Sequence, residues 1–507
     1  MTETIANLMH GFSVALAPHM LMYCLIGATI GMGIGVLPGV GALATISILL
    51  PFTFKLDPTG GMIMLAGIFY GAQYGGSVAS ILLNLPGTAS TAVTALDGYP
   101  MTQQGRAGVA LFVTTIVSFI GGSIAIVVMV VLAPLVASVA SQFGSTEYFA
   151  VMALALVAAA TLSPGSPLNG VAMVVFGLLL GTVGADATTG FYRFAFGRME
   201  LVDGLNLIAV VMGLFGISEI LVNLVTGGQS RTIRARITLR SMLPTREDTR
   251  RIIGPTMRGT LVGVVTGILP GLGPQVASFV SYATEKKLSR HPEEFGHGAI
   301  EGVAAPEASN NASVQAAFIP TLTLGIPGDA VMAVMMGALM LHGILPGPGL
   351  ITNQPDLFWG LVASFWVGNV ILLALNIPLI GIWLQILRVP YHMLYPVVLM
   401  LISTGVYSIR NSGFDVGIAL FFGLVGYGMT LLRLPAAPLL LGLVLGPLVE
   451  EHLRRAMIIG RGDLMIFAES PISLISLTGA AALVLLMARA GLRTRERIDN
   501  PPDKKIC

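Results

Sequence analysis

The sequence predicts an all-α polytopic membrane protein made of two inverted repeats and interrupted by broken helices or re-entrant hairpins. Hydrophobic residues fill 54% of the 507 positions and charged residues only 10%, against about 25% charged in an ordinary soluble domain. Mean hydropathy is +0.84. Apolar runs recur along the whole chain, many of them near the roughly 20 residues that a spanning helix needs. One short string, Gly-x-Leu-Pro-Gly-x-Gly, stands twice inside such runs, at 35–41 and at 267–273.

In chain order the apolar segments of the first half fall at 13–34, 36–54, 61–84, 86–96, 107–140, 147–162, 167–185 and 201–226. Those of the second half fall at 253–270, 272–284, 302–326, 328–345, 357–388, 390–409, 412–431, 434–450 and 470–490. No basic n-region precedes the first run, so 13–34 reads as a retained signal anchor. The short pieces 36–54, 86–96 and 272–284 abut a Pro-Gly and read as half-helices or re-entrant arms, leaving about ten to twelve true spans.

Charge divides the chain into a first repeat half, 1–226, an Arg-rich linker, 227–258, a second half, 259–490, and a tail, 491–507. The linker carries Arg231, Arg234, Arg236, Arg240, Arg246, Arg250, Arg251 and Arg258, and the end of the chain Arg489, Arg493, Arg495, Arg497, Lys504 and Lys505. Basic loops stay in the cytoplasm, so the central loop and the C-terminus are expected there. A net charge of +2, with its basic residues confined to a few loops, gives no footprint for nucleic acid. Cys24 and Cys507 are the only cysteines, which makes a disulfide framework or a zinc site improbable.

The repeat shows as anchors recurring in order. Gly31 and Gly35 match Gly263 and Gly267, a shift of 232; Asn84-Leu85-Pro86-Gly87 matches Gly325-Ile326-Pro327-Gly328, a shift of 241. Gly177 to Gly181 is expected to answer Gly442 to Gly446, a shift of 265.

A Pro-Gly at membrane depth ends one helix and frees the next to begin, so that unpaired N–H groups and a positive dipole end face the break. Such breaks survive only where protein or a water-filled cavity surrounds them, and broken helices at matching places in two halves point to a transporter's binding site. The expected anion sites are the helix starts near Thr88 and Asp329, with Asn84, Ser90, Thr91, Thr321 and Thr323 close by. Two polar stretches lie upstream of the breaks, Gln73 to Ser77 and Glu307 to Ser313. Their amides and hydroxyls are costly in an apolar segment unless they meet a partner, ligand or ion, and an intramembrane carboxylate such as Glu307 is a functional candidate by default. Glu219 reads as an interhelical hydrogen-bonding residue, and Lys55, Arg106, Arg258 and His342 as basic residues available near the site.

These residues resemble a known family. Residues 35–41, 70–77 and 84–87, Ala95 to Pro100, Ala305 to Ala312 and Leu324 to Gly328 are similar to the signature segments of the large membrane subunit of bacterial tripartite tricarboxylate transporters. The resemblance implies a secondary uptake carrier for carboxylates in the bacterial inner membrane, citrate and other tri- or dicarboxylates and sometimes aromatic acids. It also implies a small membrane subunit of about four spanning helices and a periplasmic solute-binding protein that delivers the substrate. Energy would come from an ion gradient, since the chain has no Walker string for ATP. The expected substrate-binding residues are Asn84, Pro86, Gly87, Thr88, Ala89, Asn310, Asn311, Gly325, Pro327, Gly328 and Asp329. The expected ion-coupling residues are Gly39, Gly41, Ser77, Gly271, Gly273, Glu307 and Ser313, holding Na+ in preference to H+ because amide and hydroxyl oxygens outnumber acids there. No cofactor beyond the coupling ion is expected.

Rival classes fit less well. A carrier of another small organic anion or of an amino acid would share the architecture. A channel would not need two broken half-repeats. An intramembrane enzyme would need a constellation such as His-Glu-x-x-His, and Pro327-Gly328-Asp329 lacks the first glycine of an aspartyl Gly-x-Gly-Asp.

Overall fold

The computed structural model describes residues 2–37, 41–163, 166–186, 189–226, 237–386 and 391–499. Gly39, linker residues 227–236 and the tail end with Lys504, Lys505 and Cys507 lie outside them. The chain is almost entirely helical. It runs through α1 (Thr2–Ala15), α2 (Pro18–Gly35), α3 (Gly41–Thr53), α4 (Pro58–Leu83), α5 (Ala92–Gln103), α6 (Ala107–Ala140), α7 (Ser145–Leu162) and α8 (Pro167–Gly181). A two-stranded hairpin follows, β1 (Gly184–Ala185) with β2 (Tyr192–Arg193). Next, α9 (Leu207–Val211) and α10 (Ser218–Thr226) are joined by a π-turn over Met212–Ile217 into one helix.

The second half holds α11 (Arg246–Ile268), α12 (Gly273–Leu288), α13 (Glu301–Ala316), α14 (Phe318–Leu324), α15 (Ala330–Leu341), α16 (Leu350–Asn353) and α17 (Pro355–Asn376). It ends with α18 (Ile380–Ile386), α19 (Tyr391–Arg410), α20 (Gly413–Leu431), α21 (Ala436–Ile459), α22 (Ile466–Glu469) and α23 (Pro471–Asp499). Among the described residues 6 helices are long and apolar enough to cross a membrane, with further apolar helices of 10–17 residues.

Three boundaries differ from expectation. The apolar run 13–34 is divided, because Pro18 lacks an N–H and starts a new helix at its N-terminal turn. The run 86–96 is a Pro-Gly turn, then a short 3-10 turn at Ala89–Thr91, with the α-helix beginning only at Ala92. The second part of the Arg-rich linker is helical, since Thr245 caps α11 by accepting from the Asp248 N–H. Two of its arginines are paired, Arg251 donating to Glu301 at 2.7 Å and Arg258 to Glu285 at 2.6 Å, and Arg106 from the first half donates to its Asp248 at 2.5 Å.

The chain divides into two compact units, 1–142 with 205–432, and 143–204 with 433–507. In the first, glycine faces set the helix packing. A Cβ on Gly27, Gly31 or Gly35 of α2 would lie 2.3, 2.3 and 2.5 Å from the carbonyl oxygens of Met64, Ile68 and Ala72 of α4. On Gly259, Gly263 or Gly267 of α11 it would lie 2.2, 2.2 and 2.5 Å from those of Ala305, Ser309 and Ser313 of α13. The shifts are again 232 and 241, so the repeat is a repeat of packing as well as of sequence. Small residues every fourth position let two backbones touch, the usual means of joining helices in lipid.

Helices α4 and α13, related by the shift of 241, pack against each other in opposite senses: Tyr70 meets Gln315, Gln73 meets Asn310 and Ser77 meets Glu307. Two equivalent helices in antiparallel contact place a pseudo-two-fold across their axes, which is the geometry of inverted repeats. The contacts centre it beside Gly71–Ala72 and Ala312–Ser313.

In the second unit, α8 and α21 run parallel. A Cβ on Gly177 would meet the Leu439 carbonyl oxygen at 2.0 Å and one on Gly442 that of Val174 at 2.4 Å, while Gly181 faces Leu443 and Pro447. Parallel contact corrects the expected match of Gly177 to Gly181 with Gly442 to Gly446, since inverted partners must run oppositely. The pairing recurs instead in the first unit, where a Cβ on Gly213 would meet the Ala419 carbonyl oxygen at 2.4 Å. Thus α20 is the counterpart of α8, and α21 that of the 207–226 helix.

Candidate functional site

The site grows from the way each repeat ends its long helix. Helix α4 stops at Asn84 and α14 at Gly325, both in the left-handed region at φ 56° and 68°, a conformation that suits Asn and Gly. The chain then turns back through Pro86-Gly87 or Pro327-Gly328 and starts a shorter helix. Gly87 lies against Gly35 and Gly76; Gly328 lies against Gly267 and Ala317, the same positions one repeat later. Gly76 and Ala317 each stand four or five residues beyond the pseudo-two-fold, in opposite directions. At 1.5 Å per residue, each turn enters about 7 Å from the centre, on opposite sides.

Around the centre lies a buried polar network. Glu307 of α13 accepts from Ser77 of α4 at 2.8 Å to both carboxylate oxygens, from Thr94 of α5, and from Ser118 of α6 at 3.4 Å. Asn311 donates to Ser118 at 2.7 Å and to the Glu307 carbonyl at 3.2 Å. The Gln73 side-chain oxygen, Oε1, accepts from Thr88 at 3.1 Å, Ser90 at 2.8 Å and Asn310 at 3.4 Å. The first turn is thereby tied to the second repeat through Gln73. Four buried oxygens of α4 and α13 have no hydrogen-bond partner among the described residues: Tyr74 Oη, Asn310 Oδ1 and, on the face toward α11, Ser309 Oγ and Ser313 Oγ. A buried polar atom without a partner marks a place for water or an ion.

The second turn is built differently. The Gly271 N–H donates to the Gly328 carbonyl at 2.7 Å, and a Cβ on Gly273, at φ 59°, would lie 3.1 Å from Asp329 Cβ. The Asp329 carboxylate itself accepts from the Met332 N–H at 2.8 Å, filling the N-terminus of α15. A carboxylate occupies that terminus, whereas at the first turn the neutral Thr88 hydroxyl donates to Gln73.

Ser77, Thr88, Glu307, Asn310 and Asn311 thus share one buried neighbourhood, and Gly271, Gly273, Gly328 and Asp329 a second, while Ser313 lies on the α13 face that meets Gly267 of α11. Gly87 is buried, but Asn84, Pro86 and Ala89 are exposed. Pro327 is buried beside Gly328, and Gly41 opens α3 at φ 66° with open space around it. Thr94 and Ser118 belong to the network although the sequence did not single them out. Asp97 was also passed over as a functional residue: it accepts from the N–H groups of Gly296, Gly298 and Ala299 at 2.8 to 2.9 Å and from Tyr282 at 2.9 Å. Of the basic candidates, Arg106 and Arg258 are engaged in the ion pairs above and His342 packs on Phe54. Glu219 accepts from Asn223 in its own helix instead of across helices.

Paired helix breaks around a buried polar centre define a polytopic membrane protein of the transporter type. The tripartite tricarboxylate transporter TctA family model matches residues 21–441, and the chain belongs to that family. A 52.8 kDa protein of the TAR-I ttuC' 3' region of Agrobacterium vitis is 50% identical over 495 residues, 98% of each chain. A second protein, from the TAR-II ttuC' 3' region of the same organism, is 54% identical over 226 residues, 45% of this chain and 93% of its own. No solved structure matches.

Proposed function

We propose that this chain is the carrier subunit of a three-part uptake system that moves carboxylates across the bacterial inner membrane, driven by a cation gradient. The observation that carries the reading is the buried centre itself, where Glu307 and Gln73 gather hydroxyls and amides from both repeats between two glycine-hinged turns. Family membership supports the transporter class and the existence of further subunits, a small membrane subunit and a periplasmic solute-binding protein.

In this reading the substrate's carboxylate meets the first turn, at Gly87, Thr88 and Ser90, where glycine lets an anion approach backbone N–H groups. Entry of a di- or tricarboxylate is opposed by the inside-negative potential at about 2.3 kcal/mol per charge per 100 mV, so cations must accompany it. Sodium suits oxygens such as the unpartnered Asn310 Oδ1, one turn from Glu307 on α13. Reconstituted with its small subunit and loaded binding protein, the carrier should take up citrate or a dicarboxylate under an imposed sodium gradient at clamped pH. Uptake driven equally well by a pH gradient in sodium-free buffer would reassign the coupling to protons.

A further inference from the structure

The repeat is broken most plainly at one loop. Helix α20 passes to α21 through residues 432–435, whereas its counterpart α8 passes to the 207–226 helix through residues 182–206. The longer connection carries the β1–β2 hairpin and a cluster of apolar side chains turned to the surface: Phe191, Tyr192, Phe194, Phe196 and Met199, the last two 82% and 84% exposed. Phe194 and Phe196 hold left-handed φ angles of 51° and 47°. Bulky residues avoid that region unless the surroundings impose it, and such outliers gather at functional sites.

The Ala195 carbonyl accepts from the Arg198 N–H at 2.8 Å, closing a turn whose two corners are Phe196 and Gly197, and ion pairs fix the strand before it. Arg193 in β2 donates to both carboxylate oxygens of Glu450 on α21 at 2.8 and 3.0 Å and lies 3.5 Å from Asp186. Arg454, one turn further along α21, bridges Asp186 at 3.0 Å and Glu450 at 2.6 Å. The hairpin is therefore clamped at its base while its rings stand free.

We infer that this hairpin is the docking surface for the soluble protein that delivers substrate. The inference rests on the carrier reading above, in which the Arg-rich linker is cytoplasmic. The 207–226 helix then runs inward from the outer face, so residues 182–206 stand outside. An inverted repeat presents similar structure to both sides of the membrane; a carrier served by a soluble partner on one side needs something on that side alone. The composition is that of an interface core, aromatic and Met side chains with Arg193 and Arg198 at the rim. A lipid boundary is fluid and gains nothing from rings held at strained angles beside a four-residue ion cluster, which favours a protein with a complementary apolar pocket.

The test uses the intact chain in nanodiscs of phosphatidylethanolamine and phosphatidylglycerol, and as probe the substrate-loaded solute-binding protein encoded beside it. The double variant Phe194→Ser/Phe196→Ser should weaken binding by at least about tenfold, as expected for central aromatic anchors, while counterflow of free substrate in proteoliposomes stays at the wild-type rate. Arg193→Ala, which loosens the clamp and leaves every ring in place, should weaken binding as well. Unchanged affinity in the double variant would overturn the proposal. So would strong quenching by brominated phospholipid of a fluorophore on Phe196→Cys that the partner fails to relieve, since the rings would then be lipid anchors. Absence of counterflow in the wild type would strike at the carrier reading instead, and the binding measurement would still decide the docking.

Discussion

Gly87 and Gly328 occupy equivalent positions, yet adding one methyl group to each should have very different consequences. A Cβ at Gly87 would lie 2.2 Å from the Gly35 carbonyl oxygen and 2.5 Å from Gly76 Cα, both backbone atoms that cannot rotate away. At Gly328 the nearest atom is Ala317 Cβ at 3.2 Å, with the Gly267 oxygen at 3.4 Å. Ordinary contact needs more than 3 Å, so Gly87→Ala must push α2 and the turn apart by about 1 Å, whereas Gly328→Ala asks for a few tenths. Overpacking of that kind costs about 1–3 kcal/mol or more in a packed interior, and here it also displaces Thr88 from Gln73. Gly87→Ala should therefore insert in the membrane but lose most uptake and melt earlier, while Gly328→Ala keeps substantial uptake; Gly328→Val, with its branched side chain, should not. Radiolabelled uptake in proteoliposomes, beside a thermal melt in detergent, measures both. Equal loss in the two alanine variants, or wild-type behaviour of Gly87→Ala, would refute the tight-turn reasoning.

Four further outcomes follow from the same geometry. Asp97→Ala leaves three backbone N–H groups of residues 296–299 without their acceptor, at about 1–3 kcal/mol for each that water does not reach, and should lower the melting temperature well beyond Asp57→Ala, which removes one cap. Cysteines at Lys55 and Lys287 should be labelled from opposite sides of the membrane, as inversion requires; labelling of both from one side would exclude it. Glu307→Gln, which replaces an acceptor of three hydroxyls with a mixed donor and acceptor, should abolish coupled uptake at unchanged expression. In the first turn of α11, burial pushes the Asp248 carboxyl up, but Thr245 and the Arg106 guanidinium outweigh it and hold it below its ordinary value. A depressed carboxylate stabilises above its unfolded pKa and loses that contribution as pH falls through the folded value. The difference in melting temperature between wild type and Arg106→Ala should therefore shrink below about pH 4.

Much of this was legible in the sequence because the physics of lipid is restrictive. Composition alone forces helices, and the doubled Leu-Pro-Gly string marks where they break. The Pro-Gly turns after Asn84 and Gly325 lie where the shift of 241 places them. What escaped was decided by packing. Thr94 and Ser118 are single hydroxyls in apolar helices, and such a hydroxyl is cheap because it can bond its own helix four residues back, as Thr115 does to the Leu111 carbonyl. Only the arrival of Glu307 from the other repeat makes them part of a site. The Gly177 and Gly442 strings looked alike because both serve one close helix contact, from its two sides, and chemical likeness of that sort does not distinguish a repeat from an interface.

The two halves repeat their backbone but not their chemistry, and this has a consequence for coupling. Applying the shift of 241, Glu307 corresponds to Ala66, Ser309 to Ile68, Asn310 to Phe69 and Ser313 to Ala72, while Gln73 and Ser77 correspond to Val314 and Phe318. These six polar residues thus have apolar counterparts, whereas Asn311 answers Tyr70 and Tyr74 answers Gln315, and the glycine faces and turns that frame them occur twice. Repeated scaffold with unrepeated polar residues yields one buried carboxylate cluster, so the geometry favours a single coupling centre over a symmetric pair. At the turns the same asymmetry sets neutral Thr88 against Asp329. If the two turns were interchangeable as anion sites, Thr88→Asp and Asp329→Thr would be equally tolerated. The charges predict otherwise: Thr88→Asp places a carboxylate where the anion is to bind and should raise the substrate KM sharply. Asp329→Thr keeps an oxygen to cap α15 in the other neighbourhood, apart from Glu307, and should leave the substrate KM close to wild type. Citrate uptake measured over a sodium titration separates the two, and a matching rise in substrate KM in both variants would rule out the division of labour.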